Sequence, residues 1–137
     1  MKGEKYLFDT DTITNIFKPR PSVKLLKRLG AVSKNQQFIS SITVGEIVYG
    51  AMKSDRPKFH LDNLQNVLLP RVNMLPFDSG AAFHYGRLRA EQEAKGKPLS
   101  HADLQIAATV LANGLTLVTG NTRHFKMIQG LDVENWM

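Results

Sequence analysis

Short apolar runs alternate with segments of helical spacing along this whole chain, and that alternation restricts the fold more than any other feature. Residues 5–9, "KYLFD", read as a buried strand, after which Ile13, Ile16 and Phe17 recur at helical spacing until "KPRP" stops them. Val23, Leu25, Leu26 and Leu29 predict a second helix and "QFISS" a second strand; Val44, Ile47, Val48 and Ala51 then share one face of the helix in "TVGEIVYGAM". A helix over 57–69 leads to a strand in "RVNMLPF", and 79–95 forms a long helix ending at "KGKP". "HADLQIAATVLANG" is apolar almost all round, as befits a helix buried against a sheet, with Gly114 placed as its C-terminal stop; "LTLVT" follows as a strand. The pattern predicts an α/β fold: a central parallel sheet of four to five strands with helices on both faces.

A chain of 137 residues is expected to form one domain, 1–137, since cores of this size bury roughly two thirds of the unfolded surface. Its apolar residues make up 42% but never run to the roughly 18 in a row that a membrane span needs, so no membrane partner is expected. The apolar stretch in "MKGEKYLFD" is too short for a signal peptide and there is no cysteine for a disulfide framework, so a cytoplasmic location is expected. The net charge of +6 points to an anionic partner, with nucleic acid first among them. Lys18, Arg20, Lys24, Lys27, Arg28 and Lys34 crowd one stretch, which would equally suit a solvated helix face.

In parallel sheets ligands bind beyond the carboxyl ends of the strands, so acids at element boundaries carry the most information. Asp9, Asp11, Glu46, Asp78 and Asp103 each sit in an apolar frame at such a boundary. Asp78, between "LPF" and "SGAAF", is expected to cap a helix. Thr43-x-x-Glu46 and Ser100-x-x-Asp103 both have capping-box spacing, so each acid could be a cap or a functional group. Asp103 has the shorter reach and heads the most apolar helix, where an unpaired carboxylate is costly. Asp9 and Asp11 could be turn residues, the nucleophile pair of a phosphatase, or a metal ligand beside a helix cap. Acids gathered at one sheet edge suit Mg²⁺ or Mn²⁺, which take a few carboxylates and fill the remaining positions with water and phosphate oxygens.

Taken in order, "YLFDTDTITNIFK", "ISSITVGEIVYGA", "NMLPFDSGAAFHYGRLRAEQEAKGKPLSHADLQIAATVLANG" and "LTLVTGNTRHFKMIQGLDVENW" resemble PIN-domain ribonucleases, specifically the VapC-type toxins of bacterial toxin–antitoxin pairs. The resemblance runs nearly end to end and implies a Mg²⁺- or Mn²⁺-dependent endoribonuclease, a hydrolase, with Asp9, Glu46 and Asp103 as catalytic metal ligands. It implies further a VapB-type antitoxin partner whose tail covers the site, homodimers that enter higher-order complexes, and an RNA substrate with tRNA the leading candidate. The family usually has Asn where Asp11 stands, so that position is expected to serve as a cap and hydrogen-bond acceptor.

The chain departs from the family late. VapC-like chains place a further acid after the last central strand, where "TGNTRHF" offers Asn121 and His124. Either is a candidate fourth ligand or outer support, with Thr119 and Asp11 beside them, and Arg123 and Lys126 are candidate substrate contacts. His60, His84 and His101 show no metal-binding spacing, and Phe125 and Trp136 are expected to pack against the core. Two alternatives compete with the nuclease: a haloacid-dehalogenase-like phosphatase using the DxDxT at Asp9, and a non-catalytic basic nucleic-acid-binding module. The first lacks a paired downstream acidic motif after a strand; the second leaves the strand-end acids to repel phosphate.

Overall fold

The computed structural model describes residues 4–97 and 99–137. Pro98, in the expected stop after the long helix, and the first three residues of the start read above lie outside them. Five strands form one sheet: β1 (Tyr6–Phe8), β2 (Gln37–Ser40), β3 (Asn73–Leu75), β4 (Thr116–Val118) and β5 (Val133–Glu134). Their order is β3-β2-β1-β4-β5 and every pairing is parallel. The helices are α1 (Thr10–Ile16), α2 (Val23–Gly30), α3 (Ser41–Lys53), α4 (Pro57–Asp62), α5 (Ser79–Ala94), α6 (His101–Asn113) and α7 (Thr122–Phe125). None is long and apolar enough to cross a membrane among the described residues.

Alternation along the strands sends neighbouring side chains to opposite layers. Leu7 and Leu117 pack with Leu88, Ile106, Val110 and Phe125 beneath α5, α6 and α7, while Phe8 and Val118 pack with Ile13, Leu25, Leu64 and Trp136 on the other face. Both faces are therefore covered, as expected. α6 buries Ile106, Ala107, Ala108 and Val110 completely and ends at Gly114, whose left-handed φ of 64° returns its N–H to the last turn. Trp136 and Phe125 are buried core residues, so neither face is free to stack on a base.

One expected helix is irregular. Residues 57–69 form α4 and then a π-helical turn, Asn63–Leu68, that passes into a 3₁₀ turn, Leu69–Arg71. Pro70 has no N–H to continue an α pattern, and Leu64 and Leu68 stay buried in the core across the wider turn. The strand expected over 71–77 narrows to Asn73–Leu75 at the sheet edge, and β5 and α7 are too short to show a period in the sequence.

Candidate active site

The chain builds outward from β1 through β2 to β3, then returns to place β4 on the other side of β1, so the winding direction reverses there. Connections diverge from such a reversal and leave a crevice beyond the carboxyl ends of the two central strands. Phe8 is in register with Val118, which makes Asp9 and Thr119 neighbours across that crevice.

Asp9 is only 6% exposed, and the backbone anchors it through its own N–H, which donates to the Val118 carbonyl at 2.9 Å. Its Oδ1 accepts from Thr10 N at 2.8 Å and its Oδ2 accepts from the Thr119 hydroxyl at 2.8 Å. Burial pushes its carboxyl up to about 6; the Thr119 and Thr10 hydrogen bonds oppose this, and the nearby charges of Asp11 and Asp103 add to it. That like-charge influence brings three of the acids singled out above into one neighbourhood.

Asp9, not Asp11, caps α1, because the helix begins at Thr10 and Asp11 is already its second residue. Asp11 is still an acceptor, as expected: its Oδ2 receives the Gly120 N–H at 3.0 Å and so ties α1 to the turn after β4. Thr12 adds a second tie, donating from its buried hydroxyl to the Val118 carbonyl at 3.2 Å.

Glu46 is not part of a capping box. Ser40 caps α3, its hydroxyl accepting from Ile42 N, so Thr43 lies within the first turn and Glu46 within the second. The Glu46 carboxylate instead meets α1, with Oε1 accepting from the Thr10 hydroxyl at 2.6 Å, a hydroxyl that also lies 3.1 Å from that of Thr43. Thr10 thus bridges Asp9 through its N–H and Glu46 through its side chain. The Ser100–Asp103 box is half formed: Ser100 Oγ accepts from Asp103 N at 3.1 Å, and no return bond from the Asp103 carboxylate is made among the described residues. The expected Asp78 cap forms fully, accepting from Ala81 N at 3.0 Å.

The turn after β4 is organised by the same hydroxyl that holds Asp9. Thr119 Oγ1 accepts from Asn121 N at 3.0 Å, and the Asn121 amide nitrogen sits 2.9 Å from His124 Nδ1. Arg123 and Lys126 are exposed on and just after α7.

Among the described residues no three carboxylate or imidazole groups converge tightly enough to enclose an ion by themselves. The expected cluster of three carboxylates is therefore not preassembled: the charges of Asp11 and Asp103 act on Asp9, and Glu46 joins through Thr10. The donor chemistry nevertheless fits Mg²⁺ or Mn²⁺, which use one or two protein carboxylates with water and substrate oxygens. A buried, hydrogen-bonded acid beside two like charges is also what a cation would relieve.

Thr10 and Gly120 escaped the sequence reading. Thr10 could not be recognised because its partner Glu46 is 36 positions away. At Gly120 a Cβ would lie 2.6 Å from Met137 Cε and 2.9 Å from Asp11 Oδ2, so a larger residue would have to push the methionine tip and the Asp11 carboxylate aside.

Comparison with known proteins agrees with this architecture. The PIN domain family profile matches residues 6–131. Ribonuclease VapC2 of Haemophilus influenzae is 35% identical over 133 residues, covering 97% of this chain and 98% of that protein. The tRNA(fMet)-specific endonuclease VapC of Shigella flexneri is 34% identical, covering 96% and 98%. The crystal structure of DNA-bound VapBC from Salmonella typhimurium contains a chain that superposes with a TM-score of 0.90 at 35% identity, covering 98% of this chain and 100% of that one.

Proposed function

The chain belongs to the PIN-domain family, and from that premise we propose that it is the toxin of a VapBC-like toxin–antitoxin pair, a metal-dependent endoribonuclease that hydrolyses an RNA phosphodiester. The observation that carries this reading is the buried Asp9 at the strand-order reversal, held by Thr119 and crowded by Asp11 and Asp103. Membership of this family sets the phosphatase alternative aside, and the acids of the crevice count against a passive basic module. Proteins of this family use divalent metal ions. Asp9, Asp103 and Glu46 would hold Mg²⁺ or Mn²⁺ here, and a bound ion supplies the charge that makes water nucleophilic near neutral pH and offsets charge on the phosphodiester.

The chain's own residues divide the remaining work. Thr119 and the Thr10 N–H fix the Asp9 carboxylate so that ligand geometry is set before substrate arrives. Thr10 holds Glu46 by Oε1, leaving Oε2 to orient the attacking water and take its proton. Arg123 and Lys126, exposed on and just after α7, are the proposed phosphate contacts, whose contribution falls as salt rises. The partner is a cognate VapB-type antitoxin, and homodimers are the proposed unit that it binds. Two apolar grooves on either side of α1, of about 430 and 360 Å³, offer Phe17 and Leu26 or Phe17 and Phe59 to an apolar antitoxin segment. tRNA is the proposed substrate, the class for which the Shigella flexneri relative is named.

Two measurements test this. Purified free of antitoxin and given Mg²⁺, the protein should leave 5′-phosphate and 3′-hydroxyl ends on RNA, and EDTA should stop it. Cyclic phosphate ends, or cleavage that survives EDTA, would mean that the RNA's own 2′-hydroxyl attacks and that the proposed site is not responsible. The second concerns the turn after β4: Asn121→Asp should tighten Mn²⁺ binding about tenfold, equivalent to about 1.4 kcal/mol, because it adds a carboxylate to the turn that Thr119 ties to Asp9. His124→Asp serves as the control in titration calorimetry. Tightening at 124 alone would move the fourth ligand there, and no change at either position would place this turn outside the metal shell.

A further inference from the structure

The face of α3 that carries Glu46 continues beyond it. With 3.6 residues per turn, Tyr49, Gly50 and Lys53 all lie within about 60° of Glu46 round the helix, at rises of about 4.5 to 10.5 Å from it. Tyr49 is 66% exposed, and the Lys53 ammonium stands 5.7 Å from the centre of its ring. Gly45 and Gly50 bring no side chain to either side of Tyr49, and a Cβ at either would meet nothing within 4 Å, so the ring stands on bare helix surface. The chain then turns. The Ser54 hydroxyl accepts from Arg56 N at 3.2 Å, and the Arg56 guanidinium lies 3.9 Å over the Phe59 ring. Among the described residues neither Lys53 nor Arg56 forms an ion pair, whereas Arg28, Lys58, Arg87 and Arg89 all do. Asp55, the one acid between Glu46 and Asp62, is exposed and joins none of those pairs.

We propose that Tyr49, Lys53 and Arg56 form a track for single-stranded RNA leading away from Glu46, with Tyr49 stacking on one base and the two cations holding phosphates beyond it; this rests on the ribonuclease reading above. Stacking needs an exposed ring with open surface around it, and it tolerates any base, because every base has a π-face. Cations that rest on aromatic rings instead of on carboxylates keep their charge available for phosphate. Position favours the substrate as well, since the row starts at an acid of the candidate active site, which has to stay open to RNA. A second copy of this chain is the competing occupant, because Met52, 64% exposed, lies beyond Tyr49 on the side away from Glu46. Charge counts against it: a copy brings the same net charge of +6 towards two unpaired cations, while RNA brings the missing anions.

The test titrates a fluorescein-labelled single-stranded RNA of mixed sequence by anisotropy against the whole chain in EDTA, where the proposed cleavage cannot proceed. Tyr49→Ala should weaken binding about tenfold, the worth of one base on an aromatic ring, and Tyr49→Phe should bind like the parent. Lys53→Gln and Arg56→Gln should each lower the slope of log affinity against log salt by about 0.7, the value of one single-strand phosphate contact. Melting temperatures and sedimentation should match the parent's, since all three side chains are exposed. Unchanged affinity in Tyr49→Ala, unchanged salt slopes in both glutamine variants, or no binding by the parent overturns the track. A loss of affinity that comes with altered sedimentation assigns the face to a second copy and overturns it as well. Should Tyr49→Ala fail to fold, the salt slopes decide alone. Affinity that depends on Tyr49 with no cleavage in Mg²⁺ would keep the track and sink the ribonuclease. Cleavage in Mg²⁺ with affinity indifferent to Tyr49 would do the reverse.

Discussion

Asp9→Asn is expected to lose RNA cleavage and gain stability in metal-free buffer, two effects of opposite sign from one atom replacement. Loss of the charge of the proposed central ligand should lower the cleavage rate by at least about a hundredfold, beyond what removing a mere supporting partner of a ligand costs. Stability follows from proton linkage. The Asp9 carboxyl titrates at about 6 in the folded chain against 3.8 unfolded, so between those values the unfolded chain releases its proton first and folding weakens as pH rises. Above pH 6 the full penalty is present, roughly 1 to 3 kcal/mol, and Asn does not carry it. Asn can also keep the local bonds: its oxygen accepts from Thr10 N, and its amide donates to Thr119 Oγ1, whose hydrogen can turn to Asp11 Oδ1, 3.5 Å away. Melts of the two proteins should coincide near pH 4 and separate towards pH 7, and added Mg²⁺ should stabilise the parent more than the variant. A variant that cleaves at the parent rate, or that melts well below the parent at pH 7, would show that Asp9 is not the strained ligand described.

Thr119→Val should be the most damaging neutral substitution at the site. The hydroxyl is fully buried, donates to Asp9 and accepts from Asn121 N, and valine keeps its shape without either bond. A hydrogen bond to a buried charge contributes about 1.5 to 3 kcal/mol, and for a chain of this length the loss corresponds to a fall of roughly 5 to 10 °C in melting temperature. Cleavage should fall on the order of tenfold to a hundredfold, because an unanchored Asp9 is both misplaced and harder to ionise. The distinguishing measurement is a double-mutant cycle. Thr119→Val should cost clearly less in the Asp9→Asn background, where no charge needs the hydroxyl. Equal costs in both backgrounds would mean that Thr119 supports the strand end and not the carboxylate.

Hydrophobic periodicity made the parallel sheet and its two covered faces legible, because Leu7 and Phe8 or Leu117 and Val118 can satisfy opposite layers only in a strand between helices. It could not reveal the π turn at Asn63–Leu68, since Leu64 and Leu68 keep ordinary helical spacing while Pro70, at its end, disrupts the hydrogen bonding. Asp9 and Asp103 were visible as acids in apolar frames. Their division of labour with Asp11 was not: two acids on one turn look alike in sequence, and only the Gly120 N–H separates the one that ties down a turn from the one that caps and carries the buried charge. Glu46 shows the same limit, because a cap three residues ahead and a threonine on another helix are equivalent readings of one carboxylate until α3 is seen to start at Ser41.

The pairing of β1 with β4 has a consequence for when such an enzyme becomes dangerous. Asp9 is completed by Thr119, 110 residues further on, and Asp11 by Gly120, 109 residues further on. Contacts so distant in sequence close late, after most of the chain's configurational freedom has been lost. A growing polypeptide that has emerged as far as α6 carries the acids but not the strand that arranges them, so it can be present on the ribosome without harming the RNA around it. Competence arrives only with the last sixth or so of the chain, which leaves an inhibitor most of the period of synthesis in which to be waiting.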